Sequence, residues 1–305
     1  MPQVSVIIPN YNHSLYLQER IDSVLEQSFQ DIEVIILDDQ STDNSKNVIE
    51  QYRNHPKVSQ IIYNETNSGS TFRQWKKGFG IAKGKYIWIA ESDDVADPSL
   101  LRTLVLALDS DDAVTFSFCR SVKIDSHSQI MESMSWFNDL GKRNWMEESF
   151  INDGKEEIRN YLFFKNIVPN ASAVLINKKY VNENIFTDIS NMKYAGDWYF
   201  WVKLAEQGKI AYSAEALNKF RQHQNTTRSI KNPDKEIKRF GEYFFIIKYV
   251  QKKYNLSWNL SKHSWILREY LDKKTIFDKK AQIQILSKFP FRYARYLILN
   301  SLKKK

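Results

Sequence analysis

Short apolar runs alternate with segments of helical periodicity along the first third of the chain. In the periodic segments, apolar residues recur at spacings of three and four, which is typical of helices that cover one face of a sheet. This alternation with short connections predicts an α/β fold with a mostly parallel central sheet flanked by helices. The runs cover residues 4–9, 33–37, 58–63, 86–90 and 113–119, and the periodic segments cover residues 15–27, 70–82 and 98–108.

The pattern changes in the second half of the chain. Residues 126–154 show little periodicity but carry several aromatic side chains among polar ones. Strands are predicted at residues 171–176 and 210–212, with a helical pattern between them that begins at Asp197. From Pro233 onward the pattern is helical, so we expect a helical C-terminal appendage.

Polar side chains follow the predicted strands at the points where the strands end. Asn10 follows the first strand, Asp39 the second, and Asp93 and Asp94 the fourth. Because the carboxyl ends of parallel strands meet at one edge of a sheet, we expect these side chains to line one crevice. Asp97, which precedes a proline, already explains the start of the next helix, so Asp93 and Asp94 are left without a capping role.

The adjacent carboxylates of Asp93 and Asp94 also predict a cation site. Neighbouring carboxylates repel each other, and a bound divalent cation is a common compensation. Hard oxygen ligands suit Mg²⁺ or Mn²⁺, and such an ion can hold a diphosphate. A solvated acidic turn is the alternative interpretation of the same residues.

The positive charge of the chain is confined to its C-terminal part. The whole chain carries 44 Lys and Arg against 36 Asp and Glu, a net charge of +8. Residues 226–305 alone carry 20 against 6, which leaves 24 against 30 for residues 1–225. An acidic body with a basic, aromatic end predicts peripheral contact with an anionic membrane surface. The alternative is a helical appendage packed on the body or on a second subunit.

The remaining composition is that of an ordinary globular protein, 42% hydrophobic and 26% charged. The single cysteine, Cys119, lies in an apolar run, so the sequence excludes a disulfide framework and a thiolate metal site. The first residues lack the basic region of a secretory signal, and no apolar window reaches membrane-spanning length without a charge. We therefore expect a cytoplasmic protein, placed by its basic end at the inner face of the membrane.

Five motifs, taken in order, resemble those of family 2 glycosyltransferases with the GT-A fold. The resemblance implies a GT-A domain over residues 1–225, with a nucleotide-sugar half to about residue 97, an acceptor half over residues 98–225, and a basic helical region over residues 226–305. The motifs are Pro-Asn-Tyr-Asn at 9–12, Leu-Asp-Asp-Gln-Ser-Thr-Asp at 37–43, Asn-Ser-Gly at 67–69, Gly-Lys-Tyr-Ile at 84–87 and Glu-Ser-Asp-Asp at 91–94.

The activity that this resemblance implies is an inverting, metal-dependent transfer of a sugar. The donor would be a nucleoside-diphosphate sugar, and the acceptor a hydroxyl of a glycan or lipid-linked saccharide, as in bacterial polysaccharide biosynthesis. A carboxylate can accept the N3 proton of uracil or thymine, which favours a UDP- or dTDP-sugar. The implied cofactor is Mn²⁺ or Mg²⁺.

Roles for single residues also follow from the resemblance. Asp197 opens a segment that matches the family's Asp-Trp helix start, where the acid is the catalytic base. Asp94 would bind the metal, with His223 of the Arg-X-His element as a metal or phosphate ligand, and Asp93 would lie toward the ribose. The residues expected to bind the donor are Pro9, Tyr11, Asn12, Asp39, Asn67, Arg73, Asp93 and Arg221.

The sequence departs from the family pattern at three places. Gln40 stands where the family usually has glycine, so we expect a turn that does not require positive φ. Gly196 stands where an acid is more common. The segment that matches the family's Ala-Arg-Asn-X-Gly has no arginine in register, and Arg73, Lys76 or Lys77 is expected to supply that contact.

Other interpretations stay open at this point. The aromatic residues of 126–154, namely Trp136, Phe137, Trp145 and Phe150, suit either sugar rings or a satellite core. A sugar nucleotidyltransferase could also use an α/β sheet and acidic metal ligands, although the first strand lacks its glycine-rich phosphate loop. A nucleic-acid-binding module is suggested only by the basic end, and we expect no nucleic acid partner.

Overall fold

The computed structural model describes residues 1–131, 140–141, 143–168, 170–223 and 232–290. Two groups of residues that carry sequence predictions lie outside these ranges. They are the aromatic residues Trp136 and Phe137 and the basic, aromatic segment 291–305.

A mostly parallel sheet forms the centre of the molecule, which confirms the predicted fold class. Its strand order is β3-β2-β1-β4-β8-β6-β9-β5, and β7 pairs with β9. β1, β2, β3 and β4 are mutually parallel, while β8 runs antiparallel to both of its neighbours. The strands are β1 Val4–Asn10, β2 Ile32–Asp38, β3 Val58–Tyr63, β4 Tyr86–Ile89, β5 Val95–Ala96, β6 Val114–Ile124, β7 Phe150–Asp153, β8 Val174–Asn177 and β9 Lys209–Arg221.

Helices cover both faces of this sheet. Those predicted from the apolar periodicity in the first third of the chain are present within two residues at each end. The α-helices are α1 Ser14–Leu25, α2 Ser45–Glu50, α3 Thr71–Ile81, α4 Leu100–Asp109, α5 Gly154–Glu157, α6 Glu183–Ile189, α7 Gly196–Ala205, α8 Pro233–Tyr254, α9 Ser264–Lys273 and α10 Lys279–Leu286.

Strand directions bring four chain segments to one rim of the sheet. β1, β2 and β4 end there because they are parallel. β8 runs the opposite way, so the rim receives the start of β8, including Asn170 and Ser172. β9 is parallel to β6 and therefore also ends at this rim, where it delivers Arg221 and His223.

β9 is much longer than the three residues predicted. Its second half is partly polar, and a strand of this kind gives no continuous apolar run. Pairing with β6 extends from Val114 to Ile124 and supplies the backbone hydrogen bonds that hold the additional length. The tertiary partner, rather than local composition, determines where this strand ends.

Two apolar cores lie on opposite faces of the sheet. One contains the apolar sides of α1, α2 and α4. The other contains α3, α6 and α7 together with the C-terminal helices, whose Phe240, Phe244 and Ile247 are 1% exposed or less. The described helices of the C-terminal region are thus packed on the body, as the appendage alternative proposes. Among the described helices, none has the length and apolarity needed to cross a membrane.

Trp145 and Phe150 belong to the core rather than to an exposed sugar platform. Trp145 is 4% exposed, and its ring lies 5.8 Å from Phe150 and 5.3 Å from Tyr212. The guanidinium of Arg143 sits 4.0 Å from the Phe150 ring centre and also bonds Glu157. Of the two alternatives for these aromatic residues, the packing role holds.

We predict that acid loosens the attachment of the C-terminal helices through His263. His263 is fully buried, and its ring stacks on Trp258 with Nε2 3.2 Å from the Phe163 carbonyl oxygen. Burial lowers the pKa of His263 from 6.5 to about 4. Stability from the neutral ring is therefore complete above pH 6.5 and is lost as the pH falls toward 4, about 3 kcal/mol in all.

Urea unfolding at several pH values between 7.5 and 4.5 measures this loss. His263→Gln should remove the part of the pH dependence that comes from this ring, because no imidazole is then left between Trp258 and the Phe163 carbonyl oxygen. The matched control His127→Gln alters an exposed histidine and should keep it. An unchanged pH dependence in His263→Gln would contradict the assignment.

Candidate active site

The acidic motif that follows β4 is anchored inside the rim by Asp94. Asp94 is 1% exposed, and its carboxylate accepts hydrogen bonds from Asn170 Nδ2 (2.6 Å), Ser172 Oγ (2.7 Å) and the backbone N–H of Arg221 (2.9 Å). The guanidinium of Arg20 lies 3.9 Å away. Both oxygens of Asp94 already have partners within the protein. These contacts give Asp94 a structural role, and its predicted role as metal ligand stays a prediction, since Oδ1 accepts a single N–H.

Arg20 provides a buried positive charge beneath the acidic motif. Its side chain is fully buried in contact with the face of Trp88, and Nε donates to the Glu91 carbonyl oxygen at 2.8 Å. Its guanidinium also faces Asp94. The negative charge of the clustered acids is therefore offset in part by the buried guanidinium of Arg20.

Arg221 is a second buried cation at the same place. It is 1% exposed, and its Nε donates to the Asp93 carbonyl oxygen at 2.7 Å. Nη1 donates to the Asp125 carbonyl oxygen and to Ser128 Oγ, and Nη2 donates to the Glu19 carboxylate. Four of its five N–H groups thus bind other parts of the protein. The predicted contact of Arg221 with the donor is revised accordingly, since the side chain supports the rim instead.

Asp93 faces two histidines at the surface of the rim. Its carboxylate lies 3.0 Å from His223 Nε2, and the rings of His13 and His223 meet edge to face at 5.4 Å. One potential ligand atom from each of the three residues lies within 4.8 Å of the other two. Nδ1 of His223 is buried without a hydrogen-bond partner. A carboxylate and imidazole nitrogens are ordinary ligands of divalent transition ions, so these residues fit a metal.

Burial and neighbouring charges shift the pKa values of Glu91, Asp93 and Asp94 in different directions. Burial, and then the charge of Asp93, raise the pKa of Glu91 to about 8. The same two causes raise the pKa of Asp94 above its usual range. Burial would also raise the pKa of Asp93, but its hydrogen bond with His223 and the charges of His13 and His223 hold it below its usual range. Asp93 is thus the acid of the motif that is held in its ionised form.

Asp39 organises the loop after β3. Its Oδ1 accepts hydrogen bonds from Asn64 Nδ2, the Ser68 backbone N–H and Gln74 Nε2, each at 2.7–2.8 Å. Oδ2 accepts from Ser68 Oγ at 2.7 Å, and Asn67 Nδ2 donates to the Asp39 carbonyl oxygen. The structure therefore brings Asp39 and Asn67 together, as the sequence predicts for a common site.

The segment after β1 is fixed against the turn after β2. Pro9 is buried within β1, whereas Tyr11 is 48% exposed. Asn12 adopts a left-handed conformation with φ 56°; its N–H donates to Ser41 Oγ, and its Oδ1 accepts from the Thr42 N–H at 2.7 Å. Tyr11 is thus presented on a rigid segment at the carboxyl end of the sheet.

The turn at Gln40 does require positive φ, which corrects the sequence expectation. Gln40 has φ 62°, the region that favours glycine. Its side chain makes two compensating hydrogen bonds, accepting from the Asn67 N–H at 2.9 Å and donating to the Glu65 carbonyl oxygen at 2.8 Å. Glutamine adopts this φ less readily than glycine, but its side chain adds hydrogen bonds to the loop that contains Asn67.

Of the three cations proposed to replace the family's arginine, Arg73 and Lys76 are exposed and Lys77 is half-buried. Arg73 Nη1 donates to the Ser68 carbonyl oxygen at 3.0 Å, and Lys77 bonds Asn64 Oδ1. Arg73 and Lys77 therefore contact the loop that Asp39 holds. The choice between them stays a prediction.

Asp197 lies in the first turn of α7, where the helix dipole favours an ionised carboxylate. Its Oδ1 accepts the Trp198 N–H at 2.8 Å, and Oδ2 accepts from Asn166 Nδ2 at 3.2 Å. Asp197 also lines a cavity of about 300 Å³ between the body and the C-terminal helices. Other side chains lining the cavity are the aromatic residues Tyr194, Trp198, Tyr243 and Trp265 and the charged residues Lys165, Arg239 and Glu269.

Glu242 of α8 holds the loop that leads to Asp197. It is 7% exposed, and its carboxylate accepts the backbone N–H groups of Lys193, Tyr194 and Ala195, each at 2.8 Å. Hydrogen bonds from backbone N–H groups to an ionised carboxylate are stronger than those between neutral groups. The C-terminal helix therefore fixes the approach to the predicted catalytic base.

Trp75 connects the acidic motif with the Asp197 helix. Its Nε1 donates to Glu91 Oε1 at 3.0 Å, and its ring packs on Phe200 and Trp201 of α7. A Cβ added to Gly196 would lie 2.6 Å from the ring of Phe72. An acid at position 196 would need that ring to move, which explains the glycine here.

Sequence reasoning missed three of the residues that build the site. His13, Arg20 and Glu242 lie in helices or at helix starts, where a lone polar residue usually faces solvent. Their partners are at least 47 positions away in the chain, so no local spacing marks them. The one signal for Arg20 and Glu242 was their position among apolar residues of an otherwise amphipathic helix.

Comparison with known proteins identifies relatives of this chain. The sequence profile of glycosyl transferase family 2 matches residues 5–184, more than half of the chain. An uncharacterized glycosyltransferase of Haemophilus influenzae is 30% identical over 253 residues, which cover 81% of this chain and 75% of that protein. The putative teichuronic acid biosynthesis glycosyltransferase TuaG of Bacillus subtilis is 27% identical over 232 residues, which cover 75% and 83%. Two further glycosyltransferases match over 36% and 34% of their own length.

Solved structures show the same fold. The crystal structure of S. aureus TarS 1-349 in complex with UDP-GlcNAc superposes with a TM-score of 0.64 at 19% identity. The superposition covers 94% of this chain and 79% of the TarS fragment. This likeness confirms the GT-A architecture expected from the sequence.

We predict that Arg221→Lys destabilises the protein, whereas Arg73→Ala does not. Lysine cannot reproduce the fork of contacts that Arg221 makes in the interior, so we expect a loss of about 3 kcal/mol. Arg73 is exposed, and its loss should change stability by less than about 0.5 kcal/mol. Urea unfolding of both variants measures the difference. Equal, small effects would restore Arg221 as a candidate ligand-binding cation.

A second prediction concerns Glu242→Gln. Glutamine has one acceptor oxygen and would turn an N–H toward the loop, so we expect a loss of about 1–3 kcal/mol. Hydrogen exchange at residues 193–197 should accelerate at the same time. Glu215→Gln, at an exposed position, serves as the matched control. Protected amides in Glu242→Gln would show that the carboxylate does not hold this loop.

Proposed function

Because the chain belongs to glycosyl transferase family 2 and is a glycosyltransferase, we propose that it transfers a sugar, with inversion, from a nucleoside-diphosphate donor to a saccharide hydroxyl. The main support for this proposal is that polar side chains gather where the parallel strands end. Asp39 and Asp93 follow neighbouring parts of one parallel sheet, within the residues that the family profile matches. A donor with a base at one end and a diphosphate at the other fits such a row of polar groups.

The base of the donor is proposed to contact Asp39. Oδ1 of Asp39 is saturated by three donors, but Oδ2 accepts only the Ser68 hydroxyl among the described contacts. Oδ2 can therefore accept the N3–H of uracil or thymine, which favours a UDP- or dTDP-sugar. The crystal structure of TarS with UDP-GlcNAc supports a uridine donor by fold analogy. Pro9, Tyr11, Asn12, Asn67 and Arg73 complete the proposed donor site.

Asp93 and His223 are proposed to hold the Mn²⁺ or Mg²⁺ ion. We propose Asp93 for the role predicted for Asp94, because Asp94 accepts three hydrogen bonds from the protein and Asp93 lies beside two histidines. A divalent ion bound there supplies positive charge to the departing diphosphate. Asp94 keeps the role of anchoring the motif, and Arg20 and Arg221 hold the rim in place.

Asp197 is proposed as the catalytic base. The acceptor oxygen forms a bond to the anomeric carbon while the bond from that carbon to the diphosphate breaks, and the hydroxyl proton goes to the Asp197 carboxylate. Glu242 positions the chain next to this acid. The base lies in the wall of the aromatic cavity, which gives the acceptor sugar an apolar face to stack on.

The acceptor is proposed to be a saccharide of a bacterial surface polysaccharide. TuaG is described as a putative teichuronic acid biosynthesis glycosyltransferase, and TarS as a poly(ribitol-phosphate) beta-N-acetylglucosaminyltransferase. Peripheral contact with an anionic membrane at the cytoplasmic face is proposed from the basic residues of 291–305, which lie outside the described part of the chain.

The test of this function uses a panel of UDP-, dTDP- and GDP-sugars with nitrophenyl pyranosides as acceptors. Release of nucleoside diphosphate is measured with Mn²⁺, with Mg²⁺ and with a chelator. We expect release with a UDP- or dTDP-sugar and a divalent ion. Asp197→Asn should lower transfer by about 100-fold or more while donor affinity is unchanged, because only proton acceptance is lost.

Two further variants make the test specific. Asp93→Asn should weaken metal-dependent donor binding, and the exposed Asp272→Asn should match the unmodified enzyme. Full transfer by Asp197→Asn would reject the proposed base. Transfer that is unaffected by chelation would reject the proposed metal role.

A further inference from the structure

We propose that His13 is a third protein ligand of the metal, so that the ion is held by two imidazoles and one carboxylate. The inference rests on the proposed function, because it concerns the same metal site. It goes beyond the motif acids, since His13 stands outside the acidic motif and outside the Arg-X-His element. The three ligands would come from the start of α1, the end of β4 and the segment after β9.

The first support is the distance between the potential ligand atoms. One such atom from each of His13, Asp93 and His223 lies within 4.8 Å of the other two. A single ion can contact three atoms at this spacing after small side-chain adjustments, since ligand bonds to transition ions are about 2.0–2.3 Å long. Asp93 and His223 already lie 3.0 Å apart, and the ring of His13 meets that of His223 edge to face at 5.4 Å.

The second support is the hydrogen bond on the other nitrogen of His13. Nδ1 lies 2.8 Å from the hydroxyl of Ser92, which is 2% exposed. Metal-binding histidines usually have one ring nitrogen fixed by a buried partner, which sets the ring orientation and leaves the other nitrogen for the ion. Ser92 lies in the acidic motif itself, next to Asp93, so one chain segment would orient His13 and also supply the carboxylate.

The third support is the state of His223. Its side chain is 4% exposed, and its Nδ1 is buried without a hydrogen-bond partner. Tyr16 covers the ring at a centroid distance of 5.0 Å, and the ring of His13 meets it edge to face. A buried and a half-buried imidazole beside one carboxylate are a poor arrangement for packing alone, because each ring carries polar nitrogens that need partners.

The donor set has a consequence for the choice of ion. Carboxylates suit Mg²⁺ and Mn²⁺ alike, but imidazole nitrogen favours transition ions over Mg²⁺. With two imidazoles in the site, we expect Mn²⁺ and Co²⁺ to bind more tightly than Mg²⁺. We also expect binding without nucleotide, since three protein ligands are already present.

The experiment uses the full chain and Mn²⁺ alone. Titration followed by electron paramagnetic resonance gives the affinity, and pulsed measurements on the bound ion count the nitrogen nuclei coupled to it. We expect two coupled nitrogens in the unmodified chain and one in His13→Ala, with a loss of Mn²⁺ affinity of about tenfold or more. Ser92→Ala should weaken affinity by less and keep both couplings.

His127→Ala replaces an exposed histidine and serves as the matched control, with two couplings and unchanged affinity expected. Circular dichroism and thermal unfolding of each variant show whether the chain is folded before metal is added. One coupled nitrogen in the unmodified chain, or equal affinity in His13→Ala, would reject the role of His13 and leave Asp93 and His223 in place. If the unmodified chain binds no Mn²⁺ at all, the metal part of the proposed function fails with it.

Discussion

The fixing of crowded acids by two buried arginines, one through its charge and one through a backbone carbonyl, is the constraint on which the rest of this structure depends. Glu91, Asp93 and Asp94 crowd the end of β4, and like charges at that spacing would oppose folding. Arg20 approaches them from α1, and Arg221 approaches from the end of β9. The sheet must therefore bring distant strands to one rim before the acids become tolerable.

Asp93 and Asp94 have different roles in this rim. Asp94 is bound on all sides and holds the shape of the motif, while Asp93 keeps its carboxylate beside the two histidines. The buried Arg20 therefore supplies part of the positive charge at this rim from within the protein.

The sequence predicts what local patterns encode. The alternation of apolar runs and helical periodicity predicted the first four strands and the helices at residues 14–25, 71–81 and 100–109 within two residues, since both patterns depend on near neighbours in the chain. The antiparallel course of β8 and the length of β9 could not be predicted, because they depend on pairing with β4 and β6. Trp145 illustrates the same limit, since its polar surroundings in sequence hide a buried position.

The residues of the site also divide into those that local sequence predicts and those that long-range contacts place. Asp39 and Asp93 were predicted from their positions after strands, whereas Glu242 acts on residues 193–195 from a different helix.

The contact between Glu242 and the backbone of residues 193–195 has a consequence for how far the chain can be shortened. A chain that stops after β9 would lose Glu242, so the N–H groups of residues 193–195 would bind water in place of its carboxylate and the loop before Asp197 would be held less tightly. The family profile ends at residue 184, before this loop, so the position of Asp197 depends on a helix that the profile does not include.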